Sequence, residues 1–272
     1  MKRTIAITLM VLAGYATAGQ YLLLHSGEYI TADGGLYLRE ELPAGYPPQG
    51  VTNLVLWYEY TELSGTNCAD SSAETNTAFA PASARNPGRN DGWVSYDGID
   101  DALELTQPCT ATNGARGTFM TWVKIEDVPQ MFFSLAGPSG STTFFRFGFD
   151  ANTDTLFYTQ PSPYKHGYWT NIVTTGVWHH VAVTATTTGD LAGYLDGLPM
   201  SGMTASAPTQ WVGRVKTIAA GAKLAMGNIY YHGSWTNPSE FDQADTRIYN
   251  RDLKAAEILT IYNSTKQRGI YQ

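Results

Sequence analysis

The sequence has little charge and no basic cluster. Charged residues make up 15% of its 272 residues, and 24 acidic residues against 17 Lys and Arg give a net charge of −7. A surface that binds nucleic acid needs clustered Lys and Arg to neutralise phosphates. We therefore expect no nucleic-acid partner.

Cysteine is almost absent, since the chain has only Cys68 and Cys109. They are not arranged as a CxxC pair, which excludes a zinc site built from cysteine. A disulfide between them would tie down the long polar loop at residues 65–91 and contribute about 3–4 kcal/mol. The alternative is a pair of unconnected buried thiols.

The first 18 residues carry two competing signals. Lys2 and Arg3 precede an apolar run at residues 5–13 and the small residues Ala16-Thr17-Ala18, which is typical of a cleaved signal peptide. Residues 4–9 alternate like a strand, which instead predicts an arm that is retained. The apolar run is too short for a membrane span, and none is expected.

Residues 20–42 contain three short apolar segments separated by glycine turns, a pattern that predicts a small antiparallel meander. The segment YLLL at residues 21–24 resembles segments of phage structural proteins, and the alternative is an edge hairpin of the main domain. Three prolines and two glycines at residues 42–50 are typical of a linker. We therefore predict an extended N-terminal arm or signal peptide plus linker at 1–49, and one domain at 50–272.

After residue 50 the sequence alternates between strand-like runs and turns. The pair Asp196-Gly197 is a strong hairpin-turn signal. Only residues 252–263 have helical periodicity, with Asp252 as the expected N-cap. These patterns predict an all-β fold, a two-sheet antiparallel jelly-roll sandwich with one short C-terminal helix. Three tryptophans in strand patterns are expected to fill the gap between the sheets: Trp57, Trp122 and Trp178.

Five segments, in this order along the chain, resemble the laminin-G-like domains of the concanavalin A-like superfamily. They are YDGIDDALEL at 96–105, TFMTWVK at 118–124, GVWHHVAV at 176–183, YLDG at 194–197, and DTRIYNRDLKAAEI at 245–258. The resemblance extends over about residues 51–265 and implies the same β-sandwich. The family usually has a glycine-containing turn where this chain has Gln243-Ala244.

The resemblance also implies a calcium site. Laminin-G-like domains often bind one Ca²⁺ through Asp and backbone oxygens, and a flexible oxygen-rich loop suits this ion. Asp97, Asp100 and Asp101 cluster in one predicted turn, and the family pattern would bring Asp245 close to them. The alternative is that the Asp-Gly-x-Asp-Asp sequence only forms a turn.

Catalysis has one candidate segment. Glu240, Asp242 and Asp245 resemble the E-x-D-x-x-E pattern of glycoside hydrolases with this fold, and carboxylates at i and i+2 of a strand share one face about 7 Å apart. However, Asn237-Pro238 predicts that this segment begins as a turn, and Asp replaces the last Glu. The adjacent His179-His180 cannot form one site, because neighbouring strand residues point to opposite faces. We therefore predict a protein that is not an enzyme, with a glycoside hydrolase as an alternative.

Two aromatic segments are candidates for carbohydrate or partner binding. Residues 158–169 and 230–235 are two predicted loops that combine aromatic rings with Gly, Pro and polar residues, which suits a sugar that stacks on rings. Tyr-rich surfaces also occur at protein interfaces, and simple packing is a third alternative. The candidate residues are Tyr158, Tyr164, Tyr168, Trp169, Tyr231 and Trp235.

We interpret the chain as a recognition or display protein. The first hypothesis is a phage virion surface component, a capsid decoration or fibre protein, in which residues 1–49 attach to the virion or to another copy and the sandwich contacts a cell-surface glycan. The alternative is a secreted bacterial lectin-like protein that binds carbohydrate. The expected locations are the virion surface and the extracellular space, respectively.

Overall fold

The computed structural model forms two units, residues 1–47 and residues 48–272. The part of the chain that the structure describes comprises residues 22–23, 29–30, 36–37, 53–72, 74, 76–82, 85–105, 116–126, 130–136, 144–150, 155–160, 165–169, 174–186, 191–201, 204–205, 223–231 and 233–266.

The first unit contains a three-stranded antiparallel meander. Its strands are β1 (Leu22–Leu23), β2 (Tyr29–Ile30) and β3 (Leu36–Tyr37), and β2 is the central strand. Leu22 is the Cα partner of Ile30, and Tyr29 is the partner of Tyr37. The meander predicted from the three apolar segments is therefore present.

The second unit is a sandwich of two antiparallel sheets. Sheet I contains β4 (Leu54–Tyr58), β7 (Gly88–Asn90), β8 (Trp93–Asp97), β10 (Gly117–Ile125), β15 (Trp178–Ala185), β16 (Leu191–Leu195), β17 (Leu198–Pro199) and β22 (Glu240–Tyr249). Sheet II contains β5 (Asn67–Cys68), β6 (Ala78–Phe79), β9 (Leu103–Leu105), β11 (Gln130–Ala136), β12 (Phe144–Asp150), β13 (Thr155–Gln160), β14 (Lys165–Trp169), β18 (Thr204–Ala205) and β19 (Lys223–Met226). A separate hairpin is formed by β20 (Ile229–Tyr231) and β21 (Ser234–Thr236).

The core between the sheets is built mainly from phenylalanine and aliphatic side chains. Alternation along β10 turns Phe119 and Val123 inward, and the Phe119 ring lies 4.6 Å from Phe133 and 5.2 Å from Phe147 of sheet II. Because alternate residues of a strand face opposite sides, Trp122 faces away from this core. The predicted two-sheet antiparallel sandwich is therefore confirmed.

The expectation that three tryptophans fill the gap between the sheets is wrong. Trp122 packs instead on the outer face of sheet I, where its ring stacks on Tyr262 at 5.4 Å and its Nε1 donates to Thr265. Trp178 packs in the same outer cluster, and Trp57 is buried beside Arg247, its register partner. Both faces of sheet I contain buried side chains. The burial of a tryptophan therefore does not show which face packs against sheet II.

Helix α1 (Ala255–Lys266) covers part of that outer face. Ile258 and Ile261 are buried in a second cluster with Met120 and Ala182 of the sheet. The helix begins three residues after the predicted start. No helix in the described part of the chain is long and apolar enough to cross a membrane.

The N-terminus of α1 is capped by Lys254 and Glu257, not by Asp252 as predicted. The Lys254 carbonyl accepts the Ile258 N–H at 3.1 Å, and the Glu257 carboxylate accepts the Lys254 N–H at 2.8 Å. The second contact is one of the two hydrogen bonds of a capping box, in which the side chain of the third helical residue accepts the N–H of the N-cap residue. Asp252 instead pairs with the Lys254 ammonium at 2.6 Å.

Strand β22 contains a β-bulge at Asp245. Met120 of β10 is partnered with Arg247 and Trp122 with Ala244, so the single residue Thr121 lies opposite two residues of β22. Asp245 has φ of 46°, the left-handed conformation that such bulges place at their first residue. The strand already begins at Glu240, and the prediction that this segment begins as a turn is wrong.

At the bulge, the charged side chains of Asp245 and Arg247 are buried in contact with each other. Arg247 donates to both carboxylate oxygens of Asp245, at 2.8 and 3.0 Å, and Trp57 Nε1 donates to the same carboxylate at 2.6 Å. The side chains of Asp245 and Arg247 are 2% and 1% exposed. A buried ion pair of this kind is stable only while both partners are present.

The first prediction concerns this ion pair. Arg247→Met removes the guanidinium and leaves a buried charge on Asp245, so we expect a loss of about 3–5 kcal/mol in the free energy of unfolding. In the double variant Asp245→Asn with Arg247→Met no charge is left, and most of that loss should be recovered. Urea unfolding followed by tryptophan fluorescence measures both values. A loss below about 1 kcal/mol in the single variant would contradict the structure.

The second prediction concerns His180, which is buried against Trp122. Burial lowers the pKa of its imidazole to about 4, and the nearby Arg247 lowers it further, while Asp245 and Asp196 raise it. Unfolded His takes up a proton near pH 6.5. Protons therefore bind the unfolded chain first, and stability falls as the pH drops from about 6.5 to about 4. His180→Gln should lose less stability than the wild type over this window in urea titrations, by up to roughly 3 kcal/mol. An equal loss in both proteins would contradict the prediction.

Candidate functional site

An acidic turn follows β8 at one rim of the sandwich. Carboxylate oxygens of Asp97, Asp100 and Asp101 lie within 4.8 Å of one another. Backbone hydrogen bonds fix the turn: Asp97 Oδ1 accepts the Ile99 N–H at 2.8 Å, and Asp101 Oδ2 accepts the Asp97 N–H at 3.0 Å. Gly98, at φ of 72°, has the left-handed backbone that this tight reversal requires.

The turn concentrates negative charge on oxygen atoms. The pKa of the Asp101 carboxyl is raised to about 6, mainly by burial and also by the neighbouring charges of Asp97 and Asp100. The hydrogen bond from the Asp97 N–H lowers this pKa in part. Ca²⁺ binds oxygens at 2.3–2.6 Å, so its ligands lie up to about 5 Å apart. The three carboxylates fit this requirement.

Asp245, the fourth predicted calcium ligand, does not belong to this turn. Asp97 is the register partner of Glu240, and Asp245 lies five residues further along β22, a distance of about 16 Å. Its carboxylate is occupied by Arg247 and Trp57. The prediction of Asp245 as a ligand is wrong, because the bulge turns this residue into a buried ion pair.

An aromatic hairpin lies at the same rim. Tyr230 and Trp235 are cross-strand partners in β20 and β21, with ring centroids 5.3 Å apart. The Lys223 Nζ lies 4.4 Å from the Tyr230 ring and 5.7 Å from the Trp235 ring, and it pairs with the buried Glu104 at 2.8 Å. Both rings therefore have a cation beside them, held in place by an ion pair.

Arg85 joins the aromatic hairpin to the acidic turn. Its guanidinium carbon lies 5.9 Å from the Trp235 ring, and its Nη1 donates to the Asp100 carbonyl at 2.8 Å. We call this combined surface the rim site. It is composed of Arg85, Asp97, Asp100, Asp101, Lys223, Tyr230 and Trp235.

The remaining predicted aromatic residues that the structure describes lie in three strands. Tyr158 lies in β13 as the Cα partner of Phe147, while Tyr168 and Trp169 lie in β14. Tyr231 ends β20, opposite Ser234. Tyr164 lies outside the described residues. The prediction of a single loop at 158–169 is wrong, since most of this segment forms a β-hairpin.

Sequence reasoning missed Arg85, Lys223 and Tyr230. Tyr230 could have been found, because it pairs with Trp235 across the turn at Gly233 and such cross-strand aromatic pairs follow from hairpin register. Arg85 lies far from both rings in sequence, and only the fold brings it to the rim. Lys223 begins β19, the strand directly before β20, but no local pattern marked it as a partner of the rings.

The predicted disulfide is not formed. Cys68 is a free, buried thiol that accepts a hydrogen bond from Arg89, and Cys109 lies outside the described residues. Burial raises the pKa of the Cys68 thiol to about 11, although Arg89 lowers it. The thiol is therefore protonated and unreactive at neutral pH.

The acidic residues Glu240 and Asp242 both lie in the first half of β22. Glu240 is exposed at the rim end of the strand, and Asp242 accepts hydrogen bonds from Ser95 at 2.7 Å and from Lys124 at 3.3 Å. The histidines have separate surroundings: His179 Nδ1 lies 3.0 Å from Asp196 Oδ2, and His180 contacts the Trp122 ring.

Two antiparallel sheets packed in this way define the jelly-roll sandwich class of β-proteins. A family model described as the concanavalin A-like lectin/glucanases superfamily, of laminin-G type, matches residues 97–259. The chain belongs to this superfamily. The match begins after the N-terminal arm, whose resemblance to phage proteins has no support in the comparisons. No curated protein sequence matches the chain.

Solved structures share the fold at low identity. A Trypanosoma rangeli sialidase has 18% identity and a TM-score of 0.57, and the match covers 79% of this chain and 33% of the sialidase. The receptor binding domain of botulinum neurotoxin type G has 13% identity and a TM-score of 0.53, with 79% and 52% covered. The chain thus spans about a third of the sialidase chains and about half of the toxin chain.

The prediction that the chain is not an enzyme is contradicted by the sialidase matches. The same sandwich occurs within chains of Trypanosoma rangeli sialidase, so the fold gives no ground for excluding catalysis. At 16% to 19% identity these matches show the fold alone.

The third prediction tests calcium at the acidic turn. A carboxyl group must be ionised to bind Ca²⁺. At pH 7 millimolar CaCl₂ should therefore raise the melting temperature of the wild type, and the effect should be smaller at pH 5, where Asp101 is largely protonated. Asp101→Asn should abolish the increase. Asp91→Asn changes an exposed carboxylate outside the turn and serves as the matched control. An equal calcium effect in both variants would contradict the assignment.

Proposed function

We propose that this chain recognises carbohydrate at the rim site. The observation that carries the proposal is the Tyr230–Trp235 ring pair beside Lys223, Arg85 and the acidic turn. A sugar has apolar C–H faces that stack on aromatic rings, and its hydroxyls need charged or polar groups close to those rings. The rim site offers both within one surface.

The acidic turn gives this proposal a role for calcium. An ion held by Asp97, Asp100 and Asp101 would supply positive charge where the chain itself has three carboxylates. These residues would order the turn around the ion, and Arg85, bound to the Asp100 carbonyl, would transmit that order to Trp235. Sugar binding at Trp235 is therefore expected to be tighter with calcium.

The comparisons support a carbohydrate or receptor ligand. One matched structure is titled as Trypanosoma rangeli sialidase in complex with sialic acid, and another as a receptor binding domain of botulinum neurotoxin type G. Those ligands belong to those proteins. For this chain they suggest which probes to use first, namely sialylated and neutral glycans.

The location of the protein, on a virion or outside the cell, stays a prediction. The virion surface, with residues 1–49 attached to the virion, and secretion with cleavage after residue 18 remain the two hypotheses. N-terminal sequencing of natural material distinguishes them: a start at Gly19 supports secretion, and a start at or near Met1 supports the retained arm.

The fourth prediction tests the rim site. Trp235→Ala removes the stacking ring, and we expect at least tenfold weaker binding to the glycans that the wild type captures on an array, about 1.4 kcal/mol. Leu198→Ala removes an exposed side chain outside the rim site and should bind like the wild type. Circular dichroism checks that both variants fold. Unchanged binding by Trp235→Ala would refute the rim site as the place of recognition.

A further inference from the structure

The outer face of sheet I has a second surface rich in tryptophan. Residues that are cross-strand partners lie in rows across this face. One row contains Trp93, Ala244, Trp122 and His180. The next row towards the rim contains Ser95, Asp242, Lys124 and Trp178. Helix α1 covers the first row through Tyr262, which stacks on Trp122. Trp93, Trp178, Ser95 and Lys124 are only partly buried.

Trp93 and Trp178 form an aromatic wall above the sheet. They belong to β8 and β15, which are separated by β22 and β10, so three strand spacings of about 4.8 Å lie between their backbones. Their ring centroids nevertheless lie only 6.0 Å apart, at an interplanar angle of 80°. The rings therefore reach towards each other, and the small Ala244 beneath them leaves the room for it.

A fixed polar floor lies beside this wall. Ser95 Oγ donates to Asp242 Oδ1 at 2.7 Å, and Lys124 Nζ approaches Asp242 Oδ2 at 3.3 Å and Glu126 Oε1 at 3.0 Å. The Asp242 side chain is 10% exposed and that of Lys124 is 29% exposed. Since a carboxylate has about four acceptor positions and an ammonium has three donors, both groups retain capacity for a ligand.

We propose that the Trp93–Trp178 wall and the Ser95–Asp242–Lys124 floor form a second carbohydrate site, which binds a neutral sugar. The rings accept a C–H face of the sugar, and a hydroxyl can donate to Asp242 while it accepts from Lys124. A simple ion has neither a C–H face nor a hydroxyl that both donates and accepts. The site shares no residue with the rim site.

Charge favours a neutral sugar over an acidic one. The floor contains one cation, Lys124, which is already paired with Asp242 and Glu126. Asp97 and Glu240, both exposed, form the next row towards the rim. An anionic sugar would therefore meet excess negative charge, and like charges cost binding energy.

The fifth prediction uses the tryptophan indole resonances as reporters. The chain has seven tryptophans, so their indole N–H signals in a nitrogen-15 spectrum are assignable by single Trp→Phe variants. Cellohexaose, laminarihexaose, xylohexaose and chitohexaose are the neutral probes, and sialyllactose is the anionic probe. We expect at least one neutral probe to shift the Trp93 and Trp178 signals together, and sialyllactose to leave them unchanged.

Variants of the floor complete the test. Lys124→Met and Asp242→Asn should each weaken the neutral probe that shifts Trp93 and Trp178 at least tenfold. Lys254→Met removes an exposed lysine at the start of α1 and is the matched control, with unchanged affinity. The variants keep the indoles of Trp93, Trp178 and Trp235 as reporters, so a loss of folding would appear at once as collapsed signal dispersion.

Each remaining outcome decides against the inference. If no neutral probe shifts Trp93 and Trp178, or if sialyllactose shifts them equally, the neutral-sugar site is overturned. If those signals move only with protein concentration, the surface is a contact between protein copies. The Trp235 signal reports the rim site separately, so a shift of Trp235 alone would support the rim proposal while this inference fails.

Discussion

The buried contact of Asp245 with Arg247 and Trp57 is the constraint on which the geometry of sheet I depends. A carboxylate at the centre of a sheet face is stable only when its oxygens are fully hydrogen-bonded. Here three donors serve it, two from the guanidinium and one from the indole. The guanidinium also lies 4.5 Å from the Trp57 ring. The bulge makes this possible, because its extra residue shifts the alternation of the strand. Arg247 therefore lies on the outer face with Ala244, and Ile248 lies in the core.

The bulge also divides β22 into two functional halves. Glu240–Ala244 pairs with β8, and Thr246–Tyr249 pairs with β4. The first half contains Glu240, which is paired with Asp97 of the acidic turn, and Asp242, which is paired with Ser95. Because side chains alternate along a strand, a slip of one residue would turn Asp242 into the core and Phe241 outward. The ion pair fixes this register, and so it positions both proposed sugar sites without belonging to either.

Strands next to a recognisable turn signal could be predicted from the sequence, because that signal is local. The pair Asp196-Gly197 forms its turn with φ of 50° and 78°, as the hairpin signal requires. The sequence did not predict which face of sheet I packs in the core. Trp122 and Phe119 are both buried, and alternation separates their faces without saying which face packs on sheet II and which on a helix. The rim site was only half predictable for a related reason: Trp235 is in an aromatic segment, whereas Lys223 and Arg85 reach it through strand order, which the sequence does not display.

The two proposed sites are adjacent on one strand, which connects them electrostatically. Along β8, Ser95 belongs to the floor and Asp97 to the acidic turn, and residues two apart on one face are separated by about 7 Å. This is within the screening length of about 8 Å at physiological salt. The carboxylates of the turn therefore contribute to the negative field over the floor. An ion bound at the turn would offset that field, so occupancy at the rim would make the second surface less selective against acidic sugars. A physical route of this kind needs no movement of the sandwich, because the only thing that changes is charge.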